Sequence, residues 1–237
     1  MELTIRATTV ELPDLQDAEP LQELDSLGRP AGRVTAFKYG ESVRQLNLDG
    51  QQLLDGRITE LKLGRGTWRD LRLDSVEFTG CDLSGLVWDE SKLTRVRFSN
   101  CKLLGAQLSG LSLENVAFER CKLDYAALTD VAARGPVIFN GCSLESATFS
   151  GCDISRALLD ECTLKDTEFI NGTYRGTDLR GNDLSSVQRV WSLKHAIVSR
   201  TQDYELAAAL ATGLELTYGE DLEDEGHRPA PRGRRAR

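Results

Sequence analysis

The chain has 237 residues, with 29 Lys and Arg against 37 Asp and Glu, a formal net charge of −8 and six cysteines. That balance disfavours nonspecific nucleic-acid binding, and no apolar run approaches the roughly 18 residues needed to span a bilayer. The opening MELTIRATTVELPDL has no basic stretch followed by an apolar one. It does not read as a secretory leader, and the expected location is the cytoplasm, where thiols stay reduced.

Residues 1–42 show no regular period. Leu3 and Ile5, then Val10 and Leu12, alternate as short extended pieces, and Val34, Ala36 and Phe37 begin another. Pro13, Pro20 and Pro30, with Gly28 and Gly32, break up the rest. The segment is expected to form an N-terminal cap over the open strand edge of the region beyond residue 42.

From residue 43 a period of five takes over. Leu48, Leu53, Ile58, Leu63 and Trp68 lead into Leu73, Phe78, Leu83, Trp88, Leu93, Phe98, Leu103, Leu108, Leu113, Phe118, Leu123 and Leu128. A helix needs apolar spacings of three and four, and a half-buried strand needs alternation. Five fits neither. It fits a chain that turns a corner every five residues and stacks its turns. Two places before most centres sits a smaller residue, such as Val76, Cys81 or Ala106, on the same side of an extended backbone. Gln51, Leu61 and Leu71 fill that slot in the first coils, which are therefore irregular. Two places after many centres come Gly80, Gly85, Asn100, Gly105, Gly110, Asn115, Gly141, Gly151, Asn171, Gly176 and Gly181, residues suited to a corner with positive φ.

A second period sets the cross-section. Cys81, Cys101 and Cys121 are 20 apart, as are Phe78, Phe98 and Phe118, so four fives make one coil. Trp68 and Trp88 should stack, with an acceptor required for each buried indole N–H. The motifs CDLSG (81–85), CKLLG (101–105), CKLDY (121–125), TDLRG (177–181) and NDLSS (182–186) resemble the pentapeptide-repeat family, over about residues 46–186. The resemblance implies an all-β, right-handed quadrilateral parallel β-helix with a small C-terminal helix cap.

After Leu128 the next centre is Phe139, one residue late, and Cys121 to Cys142 is 21. The extra residue should bulge outward beside Gly135 and Pro136. Phase resumes at Leu144 and runs through Phe149, Ile154, Leu159, Leu164, Phe169, Tyr174 and Leu179 to Leu184. The 27 centres make close to seven coils and a rod roughly 30 Å long.

The repeat is thus assigned to residues 43–189. Residues 190–219 read as a strand–helix–strand cap: a strand over 191–199, a helix over 202–212 begun by Thr201 and stopped by Gly213, and a last strand over 214–218. Leu206, Ala207, Leu210 and Leu214 line one helix face. In some members of the family such a helix joins two rods, so Tyr204, Leu206, Leu210 and Leu214 are the candidate contact residues of a homodimer. Residues 220–237, acidic and then arginine-rich, are disordered by composition.

Nothing announces chemistry. The two histidines, His195 and His227, lie near the end. No catalytic triad, phosphate loop, CxxC pair or other metal spacing occurs, so no catalytic residue, cofactor or metal is expected. The cysteines read as small buried apolar residues. The primary expectation is a non-catalytic scaffold that presents a rigid surface to a protein partner. Resemblance supplies the alternative, because the family includes Qnr-type proteins that bind type II topoisomerases as DNA mimics. That role needs a continuous acidic track, yet residues 43–190 hold 21 Asp and Glu against 18 Lys and Arg. The column Arg57, Glu77, Arg97 alternates in sign, and Lys102 stacks beside Lys122. Neither direct specific DNA binding nor a membrane is expected.

Overall fold

The structure is a computed structural model describing residues 1–15, 20–27 and 32–220. The chain winds into a four-sided parallel β-solenoid. Residues 20 apart pair as neighbours, as in Leu73, Leu93 and Leu113, or Phe78, Phe98 and Phe118. Two parallel sheets form the walls, one containing the long strands Arg72–Thr79, Lys92–Ser99 and Ser112–Glu119. Every five-residue centre from Leu48 to Leu184 is buried, none more than 6 % exposed. Phe78, Phe98, Phe118 and Phe139 stack with ring centroids 4.8 Å apart at each step. The eleven Gly and Asn corner residues all have positive φ, from 47° to 81°. Tyr125 and Arg95 take the same left-handed conformation (φ 59° and 50°), so the corner is imposed by the stacking even where the side chain disfavours it.

Small polar side chains in the inner slot have a second duty. Cys81, Cys101, Cys121 and Cys162 each donate to the carbonyl 23 residues earlier, and Cys142 to the one 24 earlier. Thr167, Thr177 and Asn182 do the same with better donors. The thiols thus serve as weak donors as well as filler, and all six are free. Trp68 and Trp88 meet edge to face at 5.0 Å. Trp68 donates to the Leu46 carbonyl at 3.1 Å, whereas the Trp88 indole N–H has no hydrogen-bond acceptor.

The late residue forms the expected bulge. Leu113 pairs with Ala133, 20 on, and Val116 with Val137, 21 on. The N–H groups of Arg134 and Gly135 share the Leu113 carbonyl, and regular pairing resumes after Pro136.

The N-terminal region has two parts. Strands β1 (Glu2–Ile5) and β2 (Thr8–Glu11) form an antiparallel hairpin that lies against the outside of one wall. A short strand β3 (Gln22–Glu23) then pairs in parallel with β4 (Arg33–Tyr39), the first long strand of that wall. Leu27, Phe37 and Tyr39 fill the axis there. Parallel pairing of the wall therefore begins at Gln22, well before residue 43. Side chains there are placed by fit rather than period: a Cβ at Gly56 would stand 2.0 Å from the Phe37 ring. Gly28 and Pro30 fall outside the described residues.

At the other end the expected strands over 191–199 and 214–218 do not form. The first stretch is one more turn of the coil, with a 3-10 turn at Val190–Ser192 and a lone parallel bridge from Asp178 to Ile197. The second is turn and irregular chain. Alternating apolar residues there lack a neighbouring strand long enough to pair with. Helix α1 (Asp203–Gly213) lies across the last coil. Ser199 opens the preceding 3-10 turn with Gln202 in a reciprocal capping pair, so the cap sits two residues earlier than Thr201. Among the described residues no helix is long and apolar enough to cross a membrane.

Candidate binding surfaces

Because the axis is filled, what the coils offer is their outside. There each strand alternates its side chains outward, and residues 20 apart form columns up the rod. Charges on these columns pair across coils. Arg57 Nε meets Glu77 at 2.9 Å, Arg97 meets Glu119 at 2.5 Å, Arg69 meets Asp89 at 3.3 Å and Lys165 meets Glu145 at 2.6 Å. Arg95 pairs with Asp74, and Arg189 with Glu168. Each pair cancels charge locally, so these columns carry no continuous acidic track. Lys102 does stack beside Lys122, below the Lys102–Asp82 contact at 3.9 Å.

One column behaves differently. It runs Lys38, Arg57, Glu77, Arg97, Ala117, Ile138, Leu158, Asp178. Its first half is charged, and the next three residues are apolar. Those three are fully buried beneath the hairpin, where Val10 and Leu12 join Ala117, Ile138 and Leu158 in a second core separate from the axis, with Leu3 and Ile5 alongside. Arg6, at the hairpin turn, reaches Asp160 at 2.5 Å and Asp178 at 3.3 Å. Arg180 also grips Asp178, through Nε at 2.9 Å and Nη2 at 2.6 Å. Burial pushes the Asp178 carboxyl up, but the Arg180 hydrogen bonds and the charges of Arg180 and Arg6 outweigh it and hold it below its ordinary value. Where the chain leaves the hairpin, Pro13, Asp14 and Leu15 overhang a cleft of about 610 Å3 above Arg57, Glu77, Arg97, Thr59 and Thr79.

The third surface is the C-terminal end. Of the four residues singled out there, Leu206 is turned partly inward against the axial core. Tyr204 is 84 % exposed, and Leu210 and Leu214 also face outward. The inward face of α1 is built on Gln202, Leu206 and Ala209 rather than Ala207 and Leu210. Gln202 donates to the Leu179 and Asn182 carbonyls, and Gly213 lets the helix end close on Trp191. Leu216 and Tyr218 extend the exposed apolar area.

The thiols of Cys81, Cys101, Cys121, Cys142 and Cys162 follow one another along the coils, but all are buried. Among the described residues no cluster of His, Cys, Asp and Glu could hold a metal. Burial pushes the Cys152 thiol up to about 11, which leaves it protonated and unreactive near neutrality.

Sequence signals for two of these surfaces were present. The apolar turn of the outer column could have been found by stacking the sequence in twenties and asking about hydropathy as well as charge. The hairpin residues were visible as alternating pieces, but nothing local says which wall they cover.

Two family models match the chain: "Pentapeptide repeat region" over residues 57–130 and "Pentapeptide repeats (8 copies)" over residues 137–166. No curated protein sequence matches. Among solved structures the chain is similar to QnrB1, described as a plasmid-mediated fluoroquinolone resistance protein. A trypsin-treated form of it shows 16 % identity and a TM-score of 0.38, with 83 % of this chain and 95 % of that one covered. It is also similar to HetL, a pentapeptide repeat protein involved in heterocyst differentiation regulation from the cyanobacterium Nostoc. There the identity is 15 % and the TM-score 0.33, with 68 % and 91 % covered. Overlays this loose carry no argument about function. The five-residue register, the buried centres and the two matched segments agree, and the chain is a pentapeptide-repeat protein.

Proposed function

We propose that the protein is a non-catalytic scaffold whose rigid outer walls hold a protein partner. The observation that carries this reading is the division of labour along each strand: the inward side is packed solid, and the outward side is a lattice of side chains stacked coil upon coil about 20 residues apart. Such a surface offers positioned groups without a substrate chamber. The test uses the immobilised full chain. It should retain a protein from its own host extract in near-stoichiometric amount. Reversing Lys102 and Lys122 to Glu, or an equivalent pair on another wall, should release it with the melting temperature unchanged. Retention indifferent to every wall substitution would sink the reading.

The pairing of charges across coils favours this over DNA mimicry, which calls for one wall negative along its length. Purified gyrase should therefore supercoil DNA equally with and without the protein, and with and without a fluoroquinolone; inhibition or protection would reverse the preference. The exposed Tyr204, Leu210 and Leu214 favour one further element, association of two rods through their C-terminal ends. Light scattering should then find a dimer that Leu210→Arg with Leu214→Arg converts to monomer.

A further inference from the structure

The strip formed by Ala117, Ile138 and Leu158 is not needed to build the rod. Those residues point away from the axis, and the ladder beneath them is complete, with Val116, Phe118, Val137 and Phe139 already paired and packed inside. Elsewhere on this column the outward residues are Lys38, Arg57, Glu77, Arg97 and Asp178, followed at the C-terminal end by the exposed Ile197. Three successive apolar residues on the outside of a mostly charged column mark a surface that must be covered. In the structure its occupant is the chain's own hairpin.

The hairpin is attached in a way that permits release. β1 and β2 pair only with each other. Among the described residues no main-chain-to-main-chain hydrogen bond joins them to the coils. The links are the small apolar core, the Arg6 pairs with Asp160 and Asp178, and the Glu11 N–H donated to the Asn115 side chain at 3.1 Å. A lone two-stranded hairpin is marginal in water, so it holds its shape because the wall holds it. The overhung cleft next to it leaves the same wall open toward Arg97 and Arg57.

We propose that this strip is the partner-docking surface of the wall and that the N-terminal hairpin is its displaceable intramolecular occupant. This rests on the scaffold reading and names its site and control. The hairpin also displays what the partner must bring: an extended, amphipathic β segment with apolar residues at alternate positions, like Val10 and Leu12, and a cation placed to meet Asp160 and Asp178. A partner of that chemistry competes with the hairpin, so affinity for it is reduced by the fraction of time the strip is covered.

The test uses the full chain and, as probe, a fluorescently labelled peptide of residues 1–14. In the Val10→Asp, Leu12→Asp variant the hairpin loses its apolar side. That variant should bind the peptide at least tenfold more tightly than the unaltered chain, with the coil melting transition retained. Adding Ile138→Asp and Leu158→Asp to the released variant should abolish binding, and an Arg6→Glu peptide should bind at least tenfold more weakly. No binding by the released variant, or binding indifferent to Ile138→Asp and Leu158→Asp, overturns the proposal while leaving the scaffold reading standing. Peptide binding by the unaltered chain as tight as by the variant also overturns it, since the strip would then not be covered. So would dimers of the unaltered chain that Val10→Asp, Leu12→Asp alone dissolves, because the occupant would be the hairpin of a second copy. The scaffold reading fails separately, on the wall substitutions at Lys102 and Lys122 and their equivalents.

Discussion

The two sides of one wall obey different rules. Inward, Phe78, Phe98, Phe118 and Phe139 repeat without change for four coils. Outward, their close neighbours Glu77, Arg97, Ala117 and Ile138 pass from charged to apolar within the same coils. The axis must be filled at every level, or a cavity opens and the coils above and below lose contact. The outer column carries no such demand, so its change of character reflects something that binds there. In this protein the binder is the hairpin of residues 2–11, and among the described residues no main-chain-to-main-chain hydrogen bond ties it to the coils.

The contrast can be broken most severely from within. Phe98→Ala should cost about 3–5 kcal/mol, because the ring is sandwiched between two others and no neighbour can collapse into the space. Urea unfolding would read it as a lower midpoint for the whole rod. Gly56→Ala comes next, at about 1–3 kcal/mol from overpacking against Phe37. Its damage should be confined to the first coils, where hydrogen exchange over residues 33–58 would rise before that over residues 93–128. If both regions rose together, the first coils would not be a separable weak end.

The two indoles on the axis, Trp68 and Trp88, differ in a way that a pair of substitutions can measure. Trp68→Phe takes a donor away from the buried Leu46 carbonyl, whereas Trp88→Phe removes a donor that had no acceptor. Trp68→Phe should be the more damaging by about 1 kcal/mol, measured as a difference in unfolding free energy. Equal losses would mean that ring volume alone matters at both levels.

The smallest effect is on the outside. The native Asp178 carboxyl is held below its ordinary value. Its contribution is therefore complete above the unfolded carboxylate value of about 3.9 and is lost as pH falls toward the lowered native one. Arg6→Ala should cost up to about 1 kcal/mol at pH 7, the scale of a partly exposed ion pair. The difference in melting temperature between Arg6→Ala and the unaltered chain should shrink between pH 5 and pH 3. A difference that stays constant would take Asp178 out of the latch.

How much of this could be read from residues depends on how local each feature is. The corners at Gly80 and Asn115 and the centres at Phe78 and Phe98 are written within five residues of one another, and the bulge at 134–136 within a single coil. The C-terminal stretch 191–199 imitates a strand because Trp191, Leu193, Ile197 and Val198 make it apolar and β-prone without sustained alternation. Their pairing partner, around residue 178, is itself irregular, and only a lone bridge forms there. The inward face of α1 likewise depends on where the last coil ends. Leu206 and Ala209 meet it, whereas Leu210, equally apolar, does not.

A backbone that bends every fifth residue and closes its coil at twenty results from short-range spacing, since apolar side chains at that interval have no other way to leave water together. The strap and the tilt of the end helix come from contacts between distant segments, such as Arg6 with Asp178, 172 residues apart. No period in the chain encodes those meetings; they exist because the finished rod presents Ala117, Ile138 and Leu158 side by side.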